Sequence, residues 1–277
     1  MSIPACCRSV ALLCISPLLA ALSWSQTSLA PGSAHFVVYQ QDKPVGDGDC
    51  TVQPNPDGYT ITSHGKLNLT KFSYSFTNTQ HLDGSLNLIS NQLSGLVNGS
   101  VVNFSASSDS SGRQFQIVVS ANDKQTLNTV DRHQHLVLLP DLDPAAYLLL
   151  ARVAMDKPPT SWILIPKQDG ILVPSTITIG SGVHGNLNGS QIDVQHATIT
   201  VSSENSIDVD LFYTPDGQVQ EADLPQQNFS VVRDGFKLLE HPKPAVKPAP
   251  AQSSLKPKPA PTKYPAPQEG YPQTLEQ

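Results

Sequence analysis

Short segments in which apolar and polar residues alternate strictly run through the chain between residues 34 and 239. Phe72, Tyr74 and Phe76, for example, alternate with lysine and serine. The same alternation recurs at residues 115–119, 197–201 and 207–211. Successive side chains of a strand point to opposite faces, so this pattern predicts strands with one buried and one solvated face. The chain is therefore predicted to be mainly β.

Asp-Gly and Asn-Gly pairs separate many of these segments. Eight such pairs begin at Asp47, Asp57, Asp83, Asn98, Asp169, Asn188, Asp216 and Asp234. These pairs favour the positive φ angles of tight hairpin turns. Their number predicts consecutive antiparallel strands, that is, a β-meander.

Residues 136–155 interrupt the β pattern. Asp143 followed by Pro144 is a good helix start, because a carboxylate caps the first turn and proline suits the first helical position. The predicted helix spans about 143–155, and Arg152 is the only charged residue between 145 and 155. A helix that is apolar on nearly every side must be covered on nearly every side. We therefore expect a curved sheet, an open barrel or half-barrel, that encloses this helix.

The first 30 residues have the features of a secretory signal peptide. An apolar run at residues 10–22 follows a single basic residue, Arg8, and is too short to span a bilayer. Small residues permit cleavage after Ser25 or after Ala30, and the sequence leaves both sites open. No later segment has the composition of a transmembrane span. We expect a secreted or periplasmic protein.

The composition changes again near residue 240. Ten of the 24 prolines fall in residues 241–277, together with lysine and alanine but few large apolar residues. Such a segment cannot bury enough surface to offset its ordering entropy. We expect residues 240–277 to form a disordered Pro/Lys-rich tail that either contacts the cell envelope or cell wall or stays solvated without a partner. Residues 34–239 form one predicted β-rich domain.

The predicted domain is acidic and contains one cysteine. Residues 31–239 carry 11 basic and 20 acidic side chains, which makes a nucleic-acid partner a poor fit. The other three cysteines fall in the predicted signal peptide, which leaves Cys50 alone. Cys50 precedes strand-like residues, and we interpret it as a small buried apolar group rather than a nucleophile.

Two motifs could carry chemistry. Residues 180–185 match the G-x-G-x-x-G pattern of dinucleotide-binding loops, but a loop and a strand follow where the motif requires a helix. Asp131, His133 and His135 lie two apart and could bind a metal ion from one face of a strand. Because no second pair of ligands stands at metal spacing, a polar rim beside the helix is the favoured interpretation. The sequence predicts no cofactor.

The space between the sheet and the helix is the predicted ligand site. The helix is richer in apolar surface than one pair of strands can cover, and an aromatic strand could face it. The candidate binding residues are Phe72, Tyr74, Phe76, Tyr147, Leu150 and Val153. If the sheet closes, these side chains fill a core; if it stays open, they line a concavity that would accept a lipid or another hydrophobic ligand.

The order of elements resembles that of an uncharacterised family of bacterial secreted or periplasmic proteins with a curved antiparallel sheet around one helix. The likeness covers about residues 34–236. It rests on Tyr39-x4-Pro44-Val45-Gly46, the Leu-rich helix after Leu139-Pro140, Leu211-Phe212-Tyr213-x3-Gly217-x-Val219, and Pro225 before Val231-Val232-Arg233. The resemblance implies no catalytic residues. The expected shape is also similar to that of periplasmic lipoprotein carriers, whose half-barrels hold acyl chains.

The sequence favours a non-catalytic envelope protein that binds a hydrophobic ligand or acts as a scaffold. Common hydrolase signatures such as Gly-x-Ser-x-Gly and His-Glu-x-x-His are absent from the sequence. The alternative is a metal-dependent or other hydrolase of the cell envelope, which would use the Asp131, His133 and His135 group.

Overall fold

The computed structural model describes residues 28–167, 170–203 and 206–240. Residues 1–27 of the predicted signal peptide and residues 241–277 of the predicted tail lie outside this part. Within the described residues the chain forms 17 strands and one helix. The prediction of a mainly β protein with one helix is confirmed.

The first eight strands form a continuous antiparallel meander. They are β1 (Gly32–Gln40), β2 (Lys43–Asn55), β3 (Gly58–Leu69), β4 (Phe72–Asp83), β5 (Leu88–Val97), β6 (Ser100–Ser108), β7 (Gln114–Ala121) and β8 (Lys124–Asp131). Each strand pairs with the next one along the chain. The predicted alternation places one face of β1 to β7 inside, as in β4, where Phe76, Asn78 and Gln80 are buried, whereas β8 has no buried residue.

The second half of the domain contains the helix and nine more strands. Strand β9 (Leu136–Leu138) precedes helix α1 (Pro144–Asp156). The strands after the helix are β10 (Ser161–Ile165), β11 (Ile171–Ile179), β12 (Val183–Leu187), β13 (Ser190–Val201), β14 (Ile207–Tyr213), β15 (Val219–Leu224), β16 (Phe229–Arg233) and β17 (Phe236–Leu238).

One sheet contains all these strands. Strand β16 pairs with β1 and so joins the two halves. The spatial order is β8-β7-β6-β5-β4-β3-β2-β1-β16-β15-β14-β13-β11-β10-β9, with β12 and β17 added beside the first half of β13. No pairing among the described residues joins β8 to β9. The sheet is therefore a curved, open barrel, as predicted.

Helix α1 lies inside the curve of this sheet. Asp143 caps it: the Asp143 Oδ1 atom accepts a hydrogen bond of 2.9 Å from the Ala145 amide, and Pro144 starts the first turn. The helix contacts β2 and β3 on one side and β9, β13, β14 and β15 on the other. Ten of its 13 residues are buried. No helix in the described part of the chain is long and apolar enough to cross a membrane.

The Asp-Gly and Asn-Gly pairs do not all form turns. Residues 98–99, 188–189 and 234–235 are two-residue turns, as predicted. The pair Asp47-Gly48 instead lies in the middle of β2, so the prediction of a turn there is wrong. A Cβ atom on Gly48 would stand 3.3 Å from Cγ of Pro144. Glycine at this position lets the start of the helix pack closely against the strand.

Candidate functional site

A cavity of about 210 Å³ lies between one side of α1 and strands β1 and β2. The helix contributes Pro144, Leu148 and Arg152, which are four residues apart and so share one face. The segment before β1 and the loop at residues 214–218, between β14 and β15, complete the wall. The cavity therefore borders five separate parts of the chain, namely residues 29–36, 50–52, 144–152 and 216–219 and Arg233.

Most of the wall is apolar. Phe36, Cys50, Val52 and Val219 line it from the sheet, and all four are buried. Leu29, from the segment before β1, is only 3% exposed. Burial, and secondarily the nearby carboxylates of Asp143 and Asp49, raises the pKa of the Cys50 thiol. The thiol stays protonated at physiological pH, which confirms its interpretation as a small apolar group.

Arg152 brings a charge to this apolar cavity. Its side chain is only 7% exposed. The Nη1 atom donates to the Asp216 carbonyl oxygen at 3.2 Å and lies 3.5 Å from Sδ of Met155, while the Nε atom is buried without a hydrogen-bond partner among the described residues. A Cβ atom on Gly217, whose φ is +84°, would stand 2.7 Å from Nη1. The absence of a side chain at Gly217 therefore makes room for the guanidinium.

Arg233 lines the same cavity from the end of β16. It stands opposite Phe36 in the pairing of β16 with β1. Its Nη1 atom donates to Oε1 of Gln218 at 2.9 Å. Arg152 and Arg233 thus contact the same loop, one at Asp216 and the other at Gln218.

The cavity is positively charged within an acidic domain. Its lining includes Arg152, Arg233 and one acidic residue, Asp216. The Asp216 carboxylate accepts hydrogen bonds from the Thr214 hydroxyl and, at 3.3 Å, from Nε2 of Gln218. Both guanidinium groups donate through Nη1 to uncharged oxygen atoms of the loop at residues 214–218, the Asp216 carbonyl and Oε1 of Gln218. The arrangement can accept an anion beside an apolar space.

The six residues predicted to bind a hydrophobic ligand do not line this cavity. Tyr147, Leu150 and Val153 are buried on the helix, and all three belong to the main hydrophobic core. The rings of Phe72, Tyr74 and Phe76 follow one another along β4, with centroids 6.5 Å and 5.4 Å apart, and pack in or against the same core. The structure brings these residues together as packing groups, and their role in ligand binding stays a prediction.

The three predicted metal ligands have different surroundings. Asp131 accepts a hydrogen bond of 3.1 Å from Nε2 of Gln114. The His133 ring stacks on Trp162 with centroids 3.9 Å apart. His135 borders a different, smaller cavity. No group of three His, Cys, Asp or Glu residues in the described ranges is placed to hold a metal ion.

The two arginines of the cavity were not among the predicted site residues. The signal for Arg152 was present in the sequence, because it is the only charged residue between positions 145 and 155 of an apolar helix. Arg233 ends an ordinary strand pattern, and nothing near it in the sequence distinguishes it from a surface residue. Only the fold brings it to the loop that Arg152 contacts.

Comparisons with known proteins support the fold. No protein-family model and no curated protein matches the chain. A crystal structure of a β-barrel-like protein of domain of unknown function DUF1849 from Brucella abortus is similar with a TM-score of 0.50 and 12% identity, covering 77% of this chain and 99% of that one. A DUF1089 family protein from Pseudomonas aeruginosa gives a TM-score of 0.39 and 10% identity over 72% of this chain and 92% of its own. The first likeness shows a β-barrel-like fold.

Proposed function

We propose that this protein is a non-catalytic module of the cell envelope that binds a small hydrophobic molecule in the cavity beside α1. The observation that carries the proposal is the cavity itself, a space of about 210 Å³ whose wall is somewhat more apolar than polar. Pockets of this type, with a few polar groups at one side, are the usual form of small-molecule sites. The predicted signal peptide supports an envelope location.

The size of the cavity limits the ligand. Its volume of about 210 Å³ is below the ~300 Å³ at which drug-sized sites begin, which favours one short chain over a two-chain lipid. Burial of each methylene contributes about 0.8 kcal/mol. A chain of about ten carbons therefore gains about 8 kcal/mol before the entropic cost of association is subtracted. Apolar contact alone supports weak binding.

Titration of the full chain with N-phenyl-1-naphthylamine, an uncharged apolar fluorophore, tests the proposal. We expect saturable enhancement of its fluorescence by the wild-type protein. Leu148→Trp places a large side chain on the cavity wall and should weaken binding about tenfold or more, because the ring occupies the ligand volume.

Leu127→Trp is the matched control, since Leu127 on β8 is 76% exposed and lies outside the cavity. This variant should bind the fluorophore as the wild type does. Circular dichroism establishes that both variants are folded. A folded wild-type protein that never enhances the fluorescence, or a Leu148→Trp variant that binds normally, contradicts the proposed site.

A further inference from the structure

We propose that the ligand of this cavity is a single-chain amphiphile with an anionic head, of the carboxylate class, and that Arg152 and Arg233 bind the head. This inference rests on the proposed function and adds the chemical class of the ligand. Three observations carry it: the buried and incompletely bonded guanidinium of Arg152, the convergence of both arginines on one loop, and the charge of the cavity wall.

Arg152 borders the cavity and has donors that its contacts with the protein leave unused. A guanidinium carries five N–H donors, and Arg152 contacts a backbone carbonyl and a thioether, both through Nη1. Its Nε atom is buried without a partner. A buried donor left unpaired is costly, and a charged one more so. A carboxylate can accept from Nε and a terminal nitrogen together, which is the bidentate geometry that arginine favours.

Arg233 supplies a second positive group at the same loop. Its contact with Gln218 uses only Nη1, and Gln218 is itself held near Asp216 through Nε2. The loop at residues 214–218 thus accepts a hydrogen bond from each arginine, and it lines the cavity together with them. An anion in the cavity would meet two guanidinium groups.

The charges on the cavity wall disfavour a ligand with a cationic head. The cavity wall carries two positive charges and one negative charge, Asp216, whose carboxylate already accepts two hydrogen bonds. A cationic head would stand beside two guanidinium groups and be repelled. A neutral head would add no negative charge beside the two guanidinium groups. An anionic head supplies one.

Isothermal titration of the full chain with three ten-carbon ligands tests the assignment. Decanoate, 1-decanol and decylamine share one chain and differ in the charge of the head. We expect decanoate to bind about tenfold or more tightly than decanol, since a hydrogen bond to a charged group has at least that effect, and decylamine to bind most weakly.

Arg152→Met keeps an unbranched apolar stem and removes the charge, while Arg233→Gln removes the second charge at a less buried position. Each variant should bind decanoate about tenfold more weakly and decanol as before. Arg113→Gln, at an exposed arginine outside the cavity, is the matched control and should bind decanoate as the wild type does. If Arg152→Met fails to fold, Arg233→Gln decides the test.

The outcomes separate the two proposals. Equal binding of decanoate and decanol overturns the anionic-head assignment and leaves the hydrophobic cavity in place. An equal loss of decanoate and decanol binding in the arginine variants also overturns it. The arginine side chains would then act through packing rather than through their charge. A folded wild-type protein that binds none of the three ligands overturns the proposed function as well.

Discussion

Asp143 performs two tasks at one position in the buried core. It caps the helix through the Ala145 amide, and its Oδ2 atom accepts a hydrogen bond of 2.7 Å from Nδ2 of Asn78 on β4. The residue is completely buried, and this burial raises the pKa of its carboxyl group. The side chain thus joins the start of the helix to the sheet.

Replacement of Asp143 by alanine should destabilise the domain. Loss of the cap costs about 1 kcal/mol, and the Asn78 amide left unpaired costs about 1–3 kcal/mol more. We expect the free energy of unfolding, measured by urea denaturation, to fall by about 2–4 kcal/mol. Asp141 lies two residues before Asp143 and forms an exposed ion pair with Lys167. Asp141→Ala removes this pair and should lower the free energy of unfolding by less than about 1 kcal/mol. Equal losses in the two variants would refute the capping role.

At the residue scale, the start of the helix was predictable from the sequence and the lining of the cavity was not. Asp143 and Pro144 identify a helix start because capping depends on local chemistry alone. Which residues line a cavity depends on contacts between segments that are far apart in sequence. Arg152 and Arg233 are 81 positions apart in sequence, and only the pairing of β16 with β1 brings the second arginine to the cavity.

At the scale of elements, the segment before β1 is part of the core. Leu29 is buried in the wall of the cavity, although it falls within the predicted signal peptide. Cleavage after Ala30 would remove this side chain and open the wall, whereas cleavage after Ser25 would retain it. Retention of a buried leucine stabilises the domain, so the fold favours the earlier site.

We therefore predict that, if the predicted signal peptide is removed, the mature chain begins at Gln26. Intact-mass spectrometry of protein purified from the envelope fraction, combined with sequencing of the amino terminus, measures this directly. A mature chain that begins at Pro31 would contradict the prediction and would mean that the cavity is wider in the mature protein.

The elements themselves were largely predictable, and their exceptions have physical reasons. Strict alternation requires only that one face of each strand be buried, so the strands and the apolar helix follow from local pattern. The prediction at Asp47-Gly48 was wrong because glycine has two uses. It adopts the positive φ angles of turns, and it also permits close packing, here of Pro144 against β2. A sequence pattern does not distinguish these two uses.

At the scale of the whole molecule, one carboxyl group makes stability depend on pH. Glu221 on β15 is 8% exposed, and burial together with the charge and hydrogen bond of Asp223 raises its pKa to about 8. The folded state therefore holds a proton that the unfolded chain, with its ordinary glutamate pKa, releases at lower pH. The stabilisation present in acid is lost as pH rises from the unfolded pKa through about 8.

Glu221→Gln removes this dependence, because the amide stays neutral. We expect the wild-type free energy of unfolding to decline between pH 5 and pH 8.5 and the variant to show a flatter profile, with the larger difference at the alkaline end. Urea denaturation across this range measures both curves. Parallel curves for the two proteins would show that Glu221 is ionised in the folded state.

A crystal structure of the full chain with 10-bromodecanoic acid tests the central claim most directly, because bromine can be located by its anomalous scattering. We predict a bromine peak inside the cavity beside Leu148, with the carboxylate within hydrogen-bond distance of Arg152 or Arg233. A bromine peak only on the outer surface of the sheet, or an empty cavity at saturating ligand, would contradict the account.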